Sequence, residues 1–134
     1  MAIPFGPQLI GETEKTLTAV LRHSLEGTGL KEPQWVTLRL AGMLDGTVDE
    51  DGLVAAVADR AHLENAAELV GDVTDRGMVA RGRITSAGRE LLATVLGRSD
   101  HTAGQIWVGF PASDIEATTR VLNELLQRAR AALA

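Results

Sequence analysis

Leu63 to Gly88 reads LENAAELVGDVTDRGMVARGRITSAG, and its reading decides the fold. The first half predicts a helix from Leu63 to Asp75 that stops at Gly77, since glycine tolerates the left-handed conformation that ends helices. The second half changes character. Met78-Val79-Ala80 and Arg83-Ile84-Thr85 predict two short strands, with Arg81-Gly82 as the tight connection between them. Thr85 then suits the N-cap of a further helix, which carries Leu91, Leu92, Val95 and Leu96.

Working outward, three helices precede this unit. Ile10 to Leu25 places Ile10, Leu17, Val20, Leu21 and Leu25 on one stripe, and Gly27-Thr28-Gly29 ends it. Pro33 to Met43 follows, with the proline in the first turn where its missing N–H is harmless. Thr47-Val48-Asp49-Glu50 is a capping-box pattern that opens a short helix near Asp51, running to Ala61. On the C-terminal side Pro111 breaks the chain before Ser113-Asp114-Ile115-Glu116, a second capping-box pattern. From there Ile115, Thr119, Leu122, Leu125, Leu126, Ala129 and Leu133 form an apolar stripe to the C-terminus. Such a terminal stripe either folds back on its own core or pairs with a second copy, and pairing is the expectation here.

Composition bounds the chemistry. The 134 residues suit a single domain. The 45% hydrophobic content is that of an ordinary globular chain. Without cysteine there can be no disulfide, thiolate-bound zinc, iron–sulfur cluster or thiol nucleophile. No apolar run approaches the roughly 20 residues of a membrane span, and no signal-peptide pattern opens the chain, so a cytoplasmic protein without membrane association is expected.

The order of elements is that of a winged helix-turn-helix domain with helical arms. The residues resemble the MarR (multiple antibiotic resistance regulator) family in four stretches: Gly29-Leu30-Lys31-Glu32-Pro33-Gln34-Trp35, Glu68-Leu69-Val70 through Asp75-Arg76-Gly77-Met78-Val79, Ile84-Thr85-Ser86-Ala87-Gly88, and the stripe from Leu122 to Leu133. The resemblance implies a mainly α fold: a winged helix-turn-helix core over about 31–97 with a short β-hairpin wing. N- and C-terminal helices, about 1–30 and 98–134, would form a dimerisation arm. It also implies a homodimer that binds pseudo-palindromic operator DNA and is controlled by a small molecule. The helix from Leu63 would enter the major groove, with Asn65 and Thr74 making polar contacts and Arg60, Arg76, Arg81 and Arg83 meeting phosphates.

The charge map runs against part of this. Residues 49–83 hold eight carboxylates against four arginines, so net −4 of the total −5 falls on the presumed reading module. DNA binding draws most of its affinity from neutralised phosphates. Glu64, Glu68 and Asp72 recur every four residues and predict one acidic ridge on the reading helix. One carboxylate can accept a hydrogen bond from a cytosine amino group, but three together would repel phosphates. Family members commonly carry basic or small polar residues at Glu68 and Asp72. Their wings usually have a longer loop than Arg81-Gly82.

Two further readings follow from the mismatch. One is a small-molecule-binding protein or enzyme on the same scaffold that no longer holds an operator. The other is an interaction module whose acidic ridge meets a basic partner. In the family, small molecules sit between the dimerisation arms and the DNA-reading core, which here implies His23, Trp35, Arg39, Met43 and Trp107 as lining for a small aromatic ligand. Each side chain also has a plain structural use: Trp35 as packing, His23 as an exposed or satisfied histidine, Arg39 as an ion-pair partner, and Trp107 as part of an apolar hinge.

Other chemistry finds little support. His23, His62 and His101 are too dispersed for a metal site, and no cofactor is expected. Ser99-Asp100-His101 has the residue types of a hydrolase triad, but adjacent residues rarely converge and no nucleophile elbow accompanies them. Gly27-Thr28-Gly29 lacks the lysine of a phosphate loop. His23 or Glu26 could serve acid–base chemistry in the crevice, though no motif supports it. No catalytic residue is assigned.

Overall fold

The computed structural model describes residues 2–134 as six helices and one hairpin: α1 (Pro7–Ser24), α2 (Glu32–Met43), α3 (Glu50–Ala61), α4 (Ala66–Asp75), β1 (Val79–Ala80), β2 (Arg83–Ile84), α5 (Ser86–Ile106) and α6 (Ala112–Leu133). The chain divides into two compact units, Met1–Ser99 and Asp100–Ala134. Among the described residues no helix is long and apolar enough to cross a membrane.

The first unit is built on α2, α3 and α4 packed together, with β1 against α4 and β2 against α2. The buried positions of α4 are Ala66, Leu69, Val70 and Val73, one helical stripe, which meets Leu38 and Ala41 of α2 and Leu53 and Val57 of α3 in the core. Fully burying a leucine or valine contributes about 1.5–3 kcal/mol each, so this cluster carries most of the unit's stability. Thr37 is fully buried, and its hydroxyl donates to the Pro33 carbonyl at 2.8 Å. Its polar atom therefore carries no desolvation penalty.

Local chemistry sets the helix boundaries, and in three places differs from the sequence expectation. The helix expected from Leu63 begins at Ala66, leaving Leu63, Glu64 and Asn65 in the preceding connection, because His62 adopts a left-handed conformation (φ 54°) at the end of α3. The cap of α3 is Asp49, whose Oδ1 accepts from Gly52 N at 2.8 Å. Thr47 is not the cap, since its hydroxyl donates to Leu44 O at 2.7 Å. The Ser113 capping box does not form either. The Pro111 carbonyl accepts from Asp114 N and Ile115 N, both at 3.1 Å, so α6 starts upstream of Ser113. Thr85 does cap α5 as its sequence predicts, accepting from Gly88 N at 3.1 Å.

The hairpin pairs Val79 with Ile84 and Ala80 with Arg83 around the two-residue turn Arg81-Gly82, with φ of 55° and 80°. Two positive φ values in succession suit the right-handed twist of a tight hairpin. A Cβ on Gly82 would lie 2.5 Å from both the Asp49 carbonyl carbon and Glu50 N, so the turn is pressed onto the first residues of α3.

The C-terminus of α1 is held from within the same unit. Arg98 of α5 donates to Ser24 O at 3.2 Å and to Glu26 O at 2.7 Å, and the Ser24 and Ser99 hydroxyls meet at 2.9 Å. A guanidinium placed on the last carbonyls of a helix satisfies them and complements the helix dipole.

In the second unit α6 buries none of its residues. Ile115, Val121, Leu122, Leu125, Leu126 and Leu133 are each at least 41% exposed, as are Trp107, Val108 and Phe110 in and beside the preceding connection.

Candidate functional site

The solvent face of α4 is acidic. Glu68, Asp72 and Asp75 are all exposed, and at 100° per residue they fall within an arc of about 60°. Asp75 therefore takes the third place on the ridge. Glu64, exposed but outside the helix, stands before its N-terminus. Folding packs the apolar residues of α4 inward and leaves these carboxylates as its outer surface.

The six residues expected to contact DNA divide into two groups. Arg60, at the end of α3, Asn65, at the N-cap of α4, and Arg81, at the hairpin turn, are exposed. Among the described residues, no ion pair or side-chain hydrogen bond engages them. The others are engaged within the chain. Thr74 donates its hydroxyl to Val70 O at 2.7 Å. Arg76 Nη1 donates to Gly29 O at 2.8 Å, tying the end of α4 to the α1–α2 connection. Arg83 Nε reaches Asp45 Oδ1 at 3.4 Å.

Asp45 is shared, because Arg89 of α5 meets its other oxygen at 2.5 Å. Partial burial alone would push this carboxyl up. The hydrogen bonds and charges of Arg83 and Arg89 together outweigh that and hold it below its ordinary 3.8. A carboxyl depressed in the folded state contributes stability above its unfolded pKa and loses it as pH falls through the folded value. Asp45→Asn is accordingly expected to lower the melting temperature near pH 7, with the gap to the parent closing as pH drops below about 4. Thermal melts across that range check this. A gap unchanged in acid would mean the asparagine acts by something other than lost charge.

The residues expected to line a ligand crevice are also dispersed in their environments. Trp35 is only 4% exposed and belongs to the core of the first unit. His23 projects from α1 with its side chain 83% exposed and Nδ1 3.3 Å from Glu26 Oε1. Arg39 is exposed on α2, and Met43, 60% exposed, ends that helix. Trp107, 64% exposed, belongs to the second unit. The Ser99 hydroxyl faces Ser24 Oγ and Val95 O, so it is occupied by the α1–α5 contact.

A cleft does exist at another place in the first unit. Arg22, Leu25, Glu26, Leu30, Lys31, Glu32 and Pro33 line an open cleft of about 410 Å³ at the elbow where α1 turns into α2. The elbow is shaped by Gly27 and Gly29, with φ of 78° and 75°, and by Thr28, whose hydroxyl donates to Leu25 O and accepts from Leu30 N. Sequence reasoning read Gly27-Thr28-Gly29 as a helix stop, set aside a phosphate loop there, and assigned the stretch no site. The signal was there in two glycines allowing a sharp reversal between two apolar stripes, with a basic residue on either side.

No protein-family model and no curated protein matches the chain. Among solved structures, the crystal structure of CouR from Rhodococcus jostii RHA1 bound to p-coumaroyl-CoA is similar, with a TM-score of 0.71 at 22% sequence identity. The match covers 87% of this chain and 88% of that one. The fold is thereby established as mainly helical, with a small two-stranded antiparallel sheet, of the MarR-like winged-helix kind.

Proposed function

We propose that this protein is a ligand-responsive transcriptional regulator that acts as a homodimer on operator DNA. The observation that carries the reading is the likeness, over most of both chains, to a winged-helix protein crystallised with a small molecule bound. In this reading Asn65 makes a polar contact with DNA, and Arg60 and Arg81 meet phosphates. Thr74, Arg76 and Arg83 contribute through atoms left over from their bonds within the chain. The regulating ligand is a small, aromatic molecule; of its candidate contacts, His23, Trp35, Arg39 and Met43 belong to the first unit and Trp107 to the second.

A second reading is favoured by one observation, the carboxylate face of α4. A protein that keeps the scaffold and its ligand but not the operator needs no positive charge there. The two readings separate on DNA affinity. Anisotropy of labelled duplex from the DNA flanking the protein's gene, at about 50 and 200 mM salt, is expected to show tight binding that falls steeply with salt. No binding at micromolar protein and low salt would favour the second reading.

The acidic face offers a sharper version of the test. Glu68→Arg with Asp72→Arg is expected to raise affinity for random duplex roughly tenfold or more at about 50 mM salt and to steepen the salt dependence. Unchanged affinity would mean that α4 does not face phosphates.

A further inference from the structure

We infer that Arg83 and Arg89 form a phosphate-binding subsite beside the hairpin, and that Asp45 is its built-in competitor. The two guanidiniums come from different elements, β2 and the first turn of α5, yet converge on one carboxylate. Arg83 Nε lies 3.4 Å from Asp45 Oδ1, and Arg89 Nη2 lies 2.5 Å from Oδ2. What they converge on is a two-oxygen anion. A phosphate presents charged oxygens at nearly the same spacing, and guanidiniums recognise both groups by paired hydrogen bonds.

Exposure gives the arrangement its direction. The Asp45 side chain is 17% exposed, whereas those of Arg83 and Arg89 are 63% and 60% exposed. The carboxylate therefore lies beneath the pair. Each guanidinium meets it through one nitrogen, and the remaining N–H groups can serve a second acceptor. Among the described residues no other carboxylate pairs with either arginine. Asp49, at the nearby start of α3, caps its own helix by accepting from Gly52 N. Asp45 thus cancels one of the two positive charges that an incoming phosphate would meet.

Local structure holds the competitor in place. Asp45 and Gly46 are the central residues of a turn closed by Thr47 N donating to Leu44 O at 2.9 Å. A Cβ on Gly46 would stand 3.6 Å from Arg83 Nη2, so the guanidinium lies along this turn. A tethered anion competes at an effective concentration on the order of millimolar or higher. The seat of the hairpin does not depend on it, because Gly82 packs on Asp49 and Glu50 while Val79 and Ile84 are buried in the core. Removing the Asp45 charge therefore frees the cations without freeing the strands.

The test is a 1H–15N NMR titration of the full chain with sodium pyrophosphate, with sodium chloride at matched ionic strength as the blank. Asp45→Asn is expected to bind pyrophosphate with a dissociation constant near or below about 5 mM, shifting residues 81–89. The parent is expected to bind about tenfold or more weakly. Arg83→Gln with Arg89→Gln, added to Asp45→Asn, is expected to lose the response. No shift at 81–89 in Asp45→Asn, equal binding by the parent, or binding that survives loss of both arginines overturns the subsite. Anisotropy of labelled random duplex then separates a DNA backbone from a free phosphate as the source. Asp45→Asn is expected to raise duplex affinity about fivefold or more at about 50 mM salt. Glu124→Gln removes an equal charge from the Glu124–Arg128 pair on α6 and is expected to change that affinity less than about twofold. An equal gain from both variants removes DNA as the source. A pyrophosphate response with no duplex binding by any variant keeps the subsite and counts against the regulator reading, on which only the duplex measurement rests.

Discussion

Gly88→Ala is expected to destabilise the protein by about 2–3 kcal/mol and to lower its melting temperature by roughly 8–12 °C at fixed protein concentration. A Cβ on Gly88 would stand 2.2 Å from Met78 O and 2.8 Å from Ile84 Cγ1. The first of these is backbone, and that carbonyl already accepts from Thr85 N at 2.9 Å. The methyl can be accommodated only by lifting the hairpin from α5, which also draws Val79 and Ile84, 1% and 7% exposed, out of the core. Gly97→Ala in the same helix is the control. Nothing lies within 4 Å of its Cβ direction, so helix propensity alone is expected to stabilise it by about 0.5–1 kcal/mol. Calorimetric melts of the two variants check the pair. A Gly88→Ala melt within a degree of the parent would mean that the hairpin does not seat on α5 as described.

Leu122→Glu with Leu126→Glu is expected to convert a dimer into a monomer. The parent should sediment at twice the 14.2 kDa chain mass and the variant at the chain mass itself. Leu122 and Leu126 are 41% and 45% exposed on a 22-residue helix that buries nothing. Ile115, Ala129 and Leu133 continue their stripe along a length of about 27 Å. Such a stripe, paired with its copy, supplies the apolar centre of an interface, and stable interfaces bury on the order of 1,200–2,000 Å². Two carboxylates in that centre would have to be desolvated without partners, which outweighs what the remaining leucines contribute. A monomeric parent, or a variant still dimeric by sedimentation, would remove α6 from the interface.

Much of the candidate surface was open to local reasoning. The acidic character of α4 follows from Glu68, Asp72 and Asp75 falling opposite Leu69, Val70 and Val73, and the structure moved only its start. Thr85 as a cap and Arg81-Gly82 as a two-residue turn were legible because each is a bond or dihedral requirement within a few residues. The capping boxes at Thr47 and Ser113 misled for the same local reason. A neighbouring group, the Asp49 side chain in one case and the Pro111 carbonyl in the other, accepts from amides of the first turn and stands where the helix starts. What stayed hidden was which cations are free. Arg76 and Arg83 read as phosphate contacts, yet their partners Gly29 and Asp45 lie 47 and 38 residues away.

The sequence by itself therefore determined the order and kind of elements and the sign of the exposed face of α4, because periodicity, caps and turns act over a few residues. Only the tertiary structure decided that the hairpin lies pressed on the start of α3 and that Arg76 ties the end of α4 to the α1–α2 connection. Those features arise from close approaches between distant segments. No local pattern encodes such an approach, which is set by how the core packs.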